Sequence, residues 1–196
     1  IREIYGLYRR LGWNYQQYIP CLEPLGEGHG SLSYSLTPEQ YGRFLIELFD
    51  LWHQDLKMGR QPYIRTFENY VALGAGYIPE VCEHRGICGL QYVVEADGSV
   101  FPCDFYMLDS YRLGNFNEDS LDVLDRKRAD LRFIDRSRLL SDDCLHCPHF
   151  HLCRGGCQRN RDFQLNTGRY VNYLCKGYRM FFDACSASIL DIATHL

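Results

Sequence analysis

CEHRGICGLQYVVEADGSVFPCDFY, residues 82–106, sets three cysteines around two β-rich runs that meet at Asp97-Gly98. Alternating, β-branched and aromatic residues on both sides of an Asp-Gly pair predict a β-hairpin with a two-residue type I′ turn. Cys82, Cys88 and Cys103 supply three thiols here, one short of a four-thiolate set. The fourth has to come from elsewhere in the chain.

Downstream, CLHCPHFHLCRGGC (144–157) packs four cysteines, three histidines and two glycines into one stretch, and Cys175 follows. The middle eight of the ten cysteines run C-x5-C-x14-C, then C-x2-C-x5-C-x3-C-x17-C. Eight thiols make two complete sets for four-iron clusters, each of which takes four cysteines. The second run holds one too many and the first one too few, so ligand counting suggests that one cysteine of the second run serves the first set. Two-cluster ferredoxins show the same exchange. Gly155 and Gly156 permit unusual backbone angles and let amides approach sulfur. Arg85, Arg154, Arg159 and Lys176 bring positive charge within a few residues of the thiols. Zinc stays open, because CxxC beside His146, His149 and His151 is also a zinc pattern. Cys185, on an apolar helix, reads as a buried small hydrophobe. Cys21 is given no chemistry.

With 196 residues, 46% hydrophobic and 23% charged, the chain can bury a core without crosslinks. A disulfide scaffold is the weakest reading, since nothing indicates secretion. No apolar run is long enough for a membrane helix. A net charge of −4 and the lack of a long basic block argue against nucleic acid or an acidic membrane as partner. Arg126, Lys127, Arg128, Arg132, Arg136 and Arg138 alternate with aspartates and read as a solvated face. The chain opens on Ile1 directly into amphipathic sequence, so it reads as a piece of something longer, with any targeting signal outside it. A cytoplasmic location is expected.

Residues 2–13 predict a helix, 14–20 a short strand ending at Pro20, and 21–35 a loop of the kind that overlies a site. Thr37, Pro38 and Gln40 form a capping box with proline at the first helical position. Tyr41, Phe44, Leu45, Leu48, Phe49 and Trp52 then recur at helical spacing as a core face. Further helices are expected over 65–73, over a charged and exposed 120–140, and over 178–196. Helix, strand, loop and helix in the first third are what remains of an α/β barrel or doubly wound domain cut partway through.

At 82–106, LGNF (113–116), the CxxC and CRGGC segments and NYLC (172–175), the sequence resembles the C-terminal half of the radical S-adenosylmethionine (SAM) enzymes that mature sulfatases anaerobically. The cysteine-rich part resembles a SPASM module. The resemblance implies an α/β fold: the end of a partial β/α radical-SAM barrel over 1–80, a small α+β SPASM module with a β-hairpin over 81–178, and a terminal helix over 179–196. It implies two auxiliary 4Fe–4S clusters, one on Cys82, Cys88, Cys103 and Cys157, the other on Cys144, Cys147, Cys153 and Cys175. It also implies that the parent protein oxidises a cysteine or serine of a sulfatase polypeptide to Cα-formylglycine, using SAM and a third 4Fe–4S cluster. Asp104 would be the base, the backbone of Leu22 would meet the SAM adenine, and a flavodoxin or ferredoxin would carry electrons. For Asp104 the plainer alternative is a cap on the strand end.

One departure matters. The SAM-binding cluster of that family needs C-x3-C-x2-C, and position 160, where the third cysteine after Cys153 and Cys157 would fall, is Asn. The chain alone is therefore expected not to cleave SAM, and its first 80 residues are expected to expose apolar edges or to oligomerise. Rival readings are a SPASM enzyme acting on another peptide and a zinc-stabilised interaction module.

Overall fold

A computed structural model describes residues 1–195. Helix α1 (Arg2–Leu11) leads into strand β1 (Tyr15–Gln16), and the long helix α2 (Pro38–Lys57) returns to strand β2 (Tyr63–Ile64). β1 and β2 are parallel, with Tyr15 opposite Tyr63 and Gln16 opposite Ile64. Parallel neighbours need such a crossover, and here α2 supplies it. The strand expected over 14–20 is only two residues long, because its partner ends where helix α3 (Arg65–Gly74) begins.

The start of α2 follows its sequence. The Gln40 amide donates to Thr37 Oγ1 (3.2 Å), and the Thr37 amide donates to Gln40 Oε1 (2.9 Å). That box satisfies donors left free in a first helical turn. Tyr41, Leu45, Leu48, Phe49 and Trp52 are buried as expected, and Phe44 is half-buried.

The cysteine-rich part begins with the one-turn helix α4 (Cys82–Arg85). Strands β3 (Val93–Val94), β4 (Ser99–Phe101) and β5 (Gly114–Asn115) then form an antiparallel sheet in that order. Helices α5 (Leu121–Asp130), α6 (Phe133–Arg136), α7 (Asp142–Leu145) and α8 (Phe150–Cys153) follow, then the hairpin β6 (Arg161–Gln164) and β7 (Arg169–Asn172). Helix α9 (Cys175–Ala193) closes the fold. Its Phe181, Phe182 and Ile189 join Leu45, Phe49, Trp52 and Phe67 in the main core, together with Leu152 and Leu174 of the cysteine-rich part. Phe67 stacks on Phe181 at 5.9 Å between ring centroids. The two parts of the chain therefore share one hydrophobic core. A second, smaller cluster joins Val100, Leu113 and Leu124 beneath the three-stranded sheet.

Four expectations change. The hairpin exists, but not with a type I′ turn, which needs positive φ at both central residues. Only Gly98 has it (86°), and the Gly98 amide bonds Glu95 O while the Glu95 amide bonds Ser99 O. This is a three-residue loop, a turn over 95–98 followed by a glycine bulge. The helix expected over 120–140 breaks at Arg132, which takes a left-handed φ of 50°, and Leu124, Phe133 and Leu140 turn inward. The basic face is not wholly solvated either. Arg128 is 3% exposed, lies over the Tyr92 ring at 4.4 Å, pairs with Asp125 (2.6 Å) and donates to Gln91 O. It lies one turn after the buried Leu124, on the inward stripe of α5. Finally, the last helix starts three residues early, at Cys175, and ends at Ala193; Leu196, within the expected span, lies outside the described residues.

Among the described residues, no helix is long and apolar enough to cross a membrane. Within the first 80 residues, where apolar edges are expected, Trp13, Tyr15, Ile19, Tyr77 and Ile78 are exposed.

Candidate functional site

The eight middle cysteines divide between two cavities. Cys82, Cys88, Cys103 and Cys157 line one of about 460 Å³. Cys144, Cys147, Cys153 and Cys175 line another of about 200 Å³. Cys157 stands with the first group although it follows Cys153 by only four positions.

Local structure explains that separation. Cys153 ends α8, and the next three residues, Arg154, Gly155 and Gly156, all hold positive φ. Glycine takes this conformation at little steric penalty, and the run turns the chain over before Cys157. Cys157 then opens a 3₁₀ turn, with the Arg159 amide 3.4 Å from its sulfur. Cys82 opens α4, and the Cys88 amide donates to Ser137 Oγ (3.0 Å). In the second group, Cys144 lies on α7 behind a Ser141 cap, and Cys175 opens α9.

Burial sets the electrostatics. It pushes Cys88 up to about 11 and Cys103 and Cys153 up to about 12, and it raises Cys82, Cys144, Cys157 and Cys175 as well. The secondary influences among thiols stay within each group. Cys157 feels Cys82 and Cys88, while Cys153 feels Cys144, Cys175 and Cys147. Such thiols stay protonated until a cation compensates them, and a coordinating metal does this outright. Four soft donors around each space fit an iron–sulfur cluster. Among the described residues, no three His, Cys, Asp or Glu side chains are spaced to close on a single ion. Each histidine has one ring nitrogen bonded to an oxygen: His146 Nδ1 meets Asp142 O (2.8 Å), His149 Nε2 meets Asp183 (2.7 Å) and His151 Nδ1 meets Pro148 O (3.0 Å), and His149 also lines the second cavity.

Asp104 also lines the first cavity. Its carboxylate is exposed, and Oδ1 accepts from Cys103 Sγ at 3.2 Å. Leu22 is half-buried and faces Cys157 across a smaller cavity of about 110 Å³, shared with Glu83 and Phe105. The loop that carries Leu22 is tied to the cysteine-rich part. Arg159 donates to Glu23 O, and His29 pairs with Asp162 (2.6 Å) and stacks on Tyr173 (5.0 Å). Cys21 is exposed and Cys185 buried.

Three residues at the site carry no signal in the sequence. Glu83 lines the first cavity and accepts from Tyr178 Oη (2.8 Å), and burial raises its carboxyl. His84 is 4% exposed against the edge of Tyr70, and burial lowers it to about 4. Arg161 lies between the two thiol groups. Each sits beside a cysteine or a turn, but only the fold shows that it points inward.

Residues 87–148 match the SPASM iron–sulfur cluster-binding domain. The chain is 37% identical over its whole length to a cysteine-type anaerobic sulfatase-maturating enzyme of Clostridium perfringens, covering 53% of that protein. It is 30% identical over 92% of its length to a serine-type anaerobic sulfatase-maturating enzyme of Bacteroides thetaiotaomicron, covering 47% of it. The chain thus spans about half the length of the curated relatives it matches. Its fold superimposes with a TM-score of 0.92 and 35% identity on a solved structure of native anSMEcpe with bound AdoMet and Kp18Cys peptide, covering all of this chain and 54% of that one. By sequence and by fold, the chain corresponds to the C-terminal portion of an anaerobic sulfatase-maturating enzyme and carries a SPASM iron–sulfur cluster-binding domain.

Proposed function

We propose that this chain is the auxiliary-cluster half of an enzyme that oxidises a sulfatase cysteine or serine to Cα-formylglycine. Residues 1–80 would complete a partial β/α radical-SAM barrel, 81–178 would be the SPASM module, and 179–196 a C-terminal segment whose helical part, up to Ala193, packs back on the barrel part. Cys82, Cys88, Cys103 and Cys157 would hold one 4Fe–4S cluster, and Cys144, Cys147, Cys153 and Cys175 the other. When bound, these clusters supply acceptors for the electron that the oxidation releases. SAM and its own cluster would come from the rest of the parent protein, with a flavodoxin or ferredoxin as electron carrier. The substrate is a sulfatase polypeptide; one solved neighbour has a bound peptide.

The observation that carries this reading is Asp104, an exposed carboxylate in the same cavity as four half-buried thiols. Its Oδ2, the oxygen not bonded to Cys103 Sγ, would take the proton from a substrate thiol or hydroxyl beside the first cysteine set. The side of the cavity formed by Gln17, Tyr18, Ile19 and Pro20 gives an approach for an extended peptide. Leu22, on the same loop, would place its backbone against the SAM adenine. Acid–base catalysis of this kind contributes about 10²–10⁴-fold. Asp104→Asn in the full-length protein, with iron content unchanged, should lower formylglycine formation by about 10²-fold or more. Undiminished formation would remove Asp104 from the role.

A further inference from the structure

Arg161 opens β6 and is 6% exposed. Its guanidinium makes four hydrogen bonds, and none goes to a carboxylate. Nε donates to Gly155 O (3.0 Å), Nη1 to Ser137 O (2.5 Å), and Nη2 to Gly86 O (3.1 Å) and Gly156 O. These neutral acceptors orient the charge without cancelling it. A buried cation of this kind needs negative charge close by.

Its position shows where that charge would be. Gly86 lies between Cys82 and Cys88, and Gly155 and Gly156 lie between Cys153 and Cys157. The guanidinium lines a small space with Cys82, Cys88 and Cys157, while Gly155, its Nε acceptor, lines the second thiol cavity. Burial lowers the Arg161 pKa, and Cys157 and Cys88 of one set with Cys144 and Cys153 of the other oppose that shift.

We propose that Arg161 is a positioning residue, a counter-cation shared by both auxiliary clusters and held between them by backbone carbonyls of both cysteine segments. The proposal rests on the two-cluster reading above. Reducing a cluster adds one negative charge. A fixed cation beside both clusters favours their reduced states together, so it raises both potentials. Arginine suits the place because its planar fork reaches four carbonyls while keeping its charge.

The test is a potentiometric titration of the full-length protein after anaerobic reconstitution, following each cluster by electron paramagnetic resonance, in Arg161→Gln and Arg161→Lys. In Arg161→Gln the reduced-to-oxidised ratio of both clusters, at a fixed applied potential, should fall about tenfold or more, a shift of about 59 mV for a one-electron couple. Arg161→Lys, which keeps the charge, should leave both ratios close to wild type. Unchanged ratios in an iron-replete Arg161→Gln, a shift in one cluster only, or equal shifts in both variants would overturn the proposal. If Arg161→Gln fails to load iron, Arg161→Lys decides: normal loading and potentials support a shared cation, and equal failure reduces Arg161 to a backbone staple. Wild-type protein with fewer than two auxiliary clusters besides the SAM-binding one would overturn the two-cluster reading first, and this proposal with it.

Discussion

The two thiol cavities differ in what surrounds them. The first is the larger, opens toward the loop that follows β1, and has carboxylates at Asp104 and Glu83. The second is less than half its volume and is walled by Phe150, Tyr178 and Phe182. Its closest ties to the rest of the chain run through α9 into the main core. A wide space with an exposed carboxylate suits a reacting side chain. A narrow space with aromatic walls suits an electron relay that excludes water. The same four-cysteine chemistry can therefore serve two purposes, set by the side chains beyond the sulfurs.

The largest expected effect concerns which cysteines belong together. Cys157→Ala should abolish or alter the resonance signal of the same cluster as Cys82→Ala, and leave intact the cluster that responds to Cys153→Ala. If Cys157→Ala instead matched Cys153→Ala, the crossing of Cys157 between the sets would be wrong. A smaller effect separates the walls. Phe182 is fully buried, and Phe182→Ala should destabilise the protein by about 3–5 kcal/mol in chemical denaturation. Phe105, on the first cavity, is 43% exposed, and Phe105→Ala should change stability by about 0.5 kcal/mol or less. Equal losses at both positions would show that the first cavity is as closely packed as the second.

Much of this was legible in the residues. The capping box at Thr37 and the helical spacing from Tyr41 to Trp52 are local signals, and α2 obeys them. The Asp-Gly pair gave the hairpin its place but not its turn type, because Asp97 keeps negative φ and the bulge at Gly98 absorbs the extra residue. Cysteine counting suggested that one thiol of the second run crosses over, and the structure does bring Cys157 to the first cavity.

What was not legible depends on contacts distant in sequence. Arg128 sits in a charged run, yet Tyr92 and Gln91 O draw it inward. Arg161 looks like one more surface arginine until four carbonyls from three segments converge on it. Strand β5 is only Gly114–Asn115, too short for any periodicity, and is fixed by pairing with β4. The β6–β7 hairpin had a usable but unread signal, β-rich residues on both sides of Asn166-Thr167-Gly168.

The central claim is that these eight thiols hold two four-iron clusters. Its most direct test is the content of iron, acid-labile sulfide and zinc per chain in anaerobically purified full-length protein, corrected for the SAM-binding cluster. About eight iron and eight sulfide attributable to residues 82–175 is the predicted result. One or two zinc ions with no sulfide would contradict it and make the cysteine-rich part a structural zinc module.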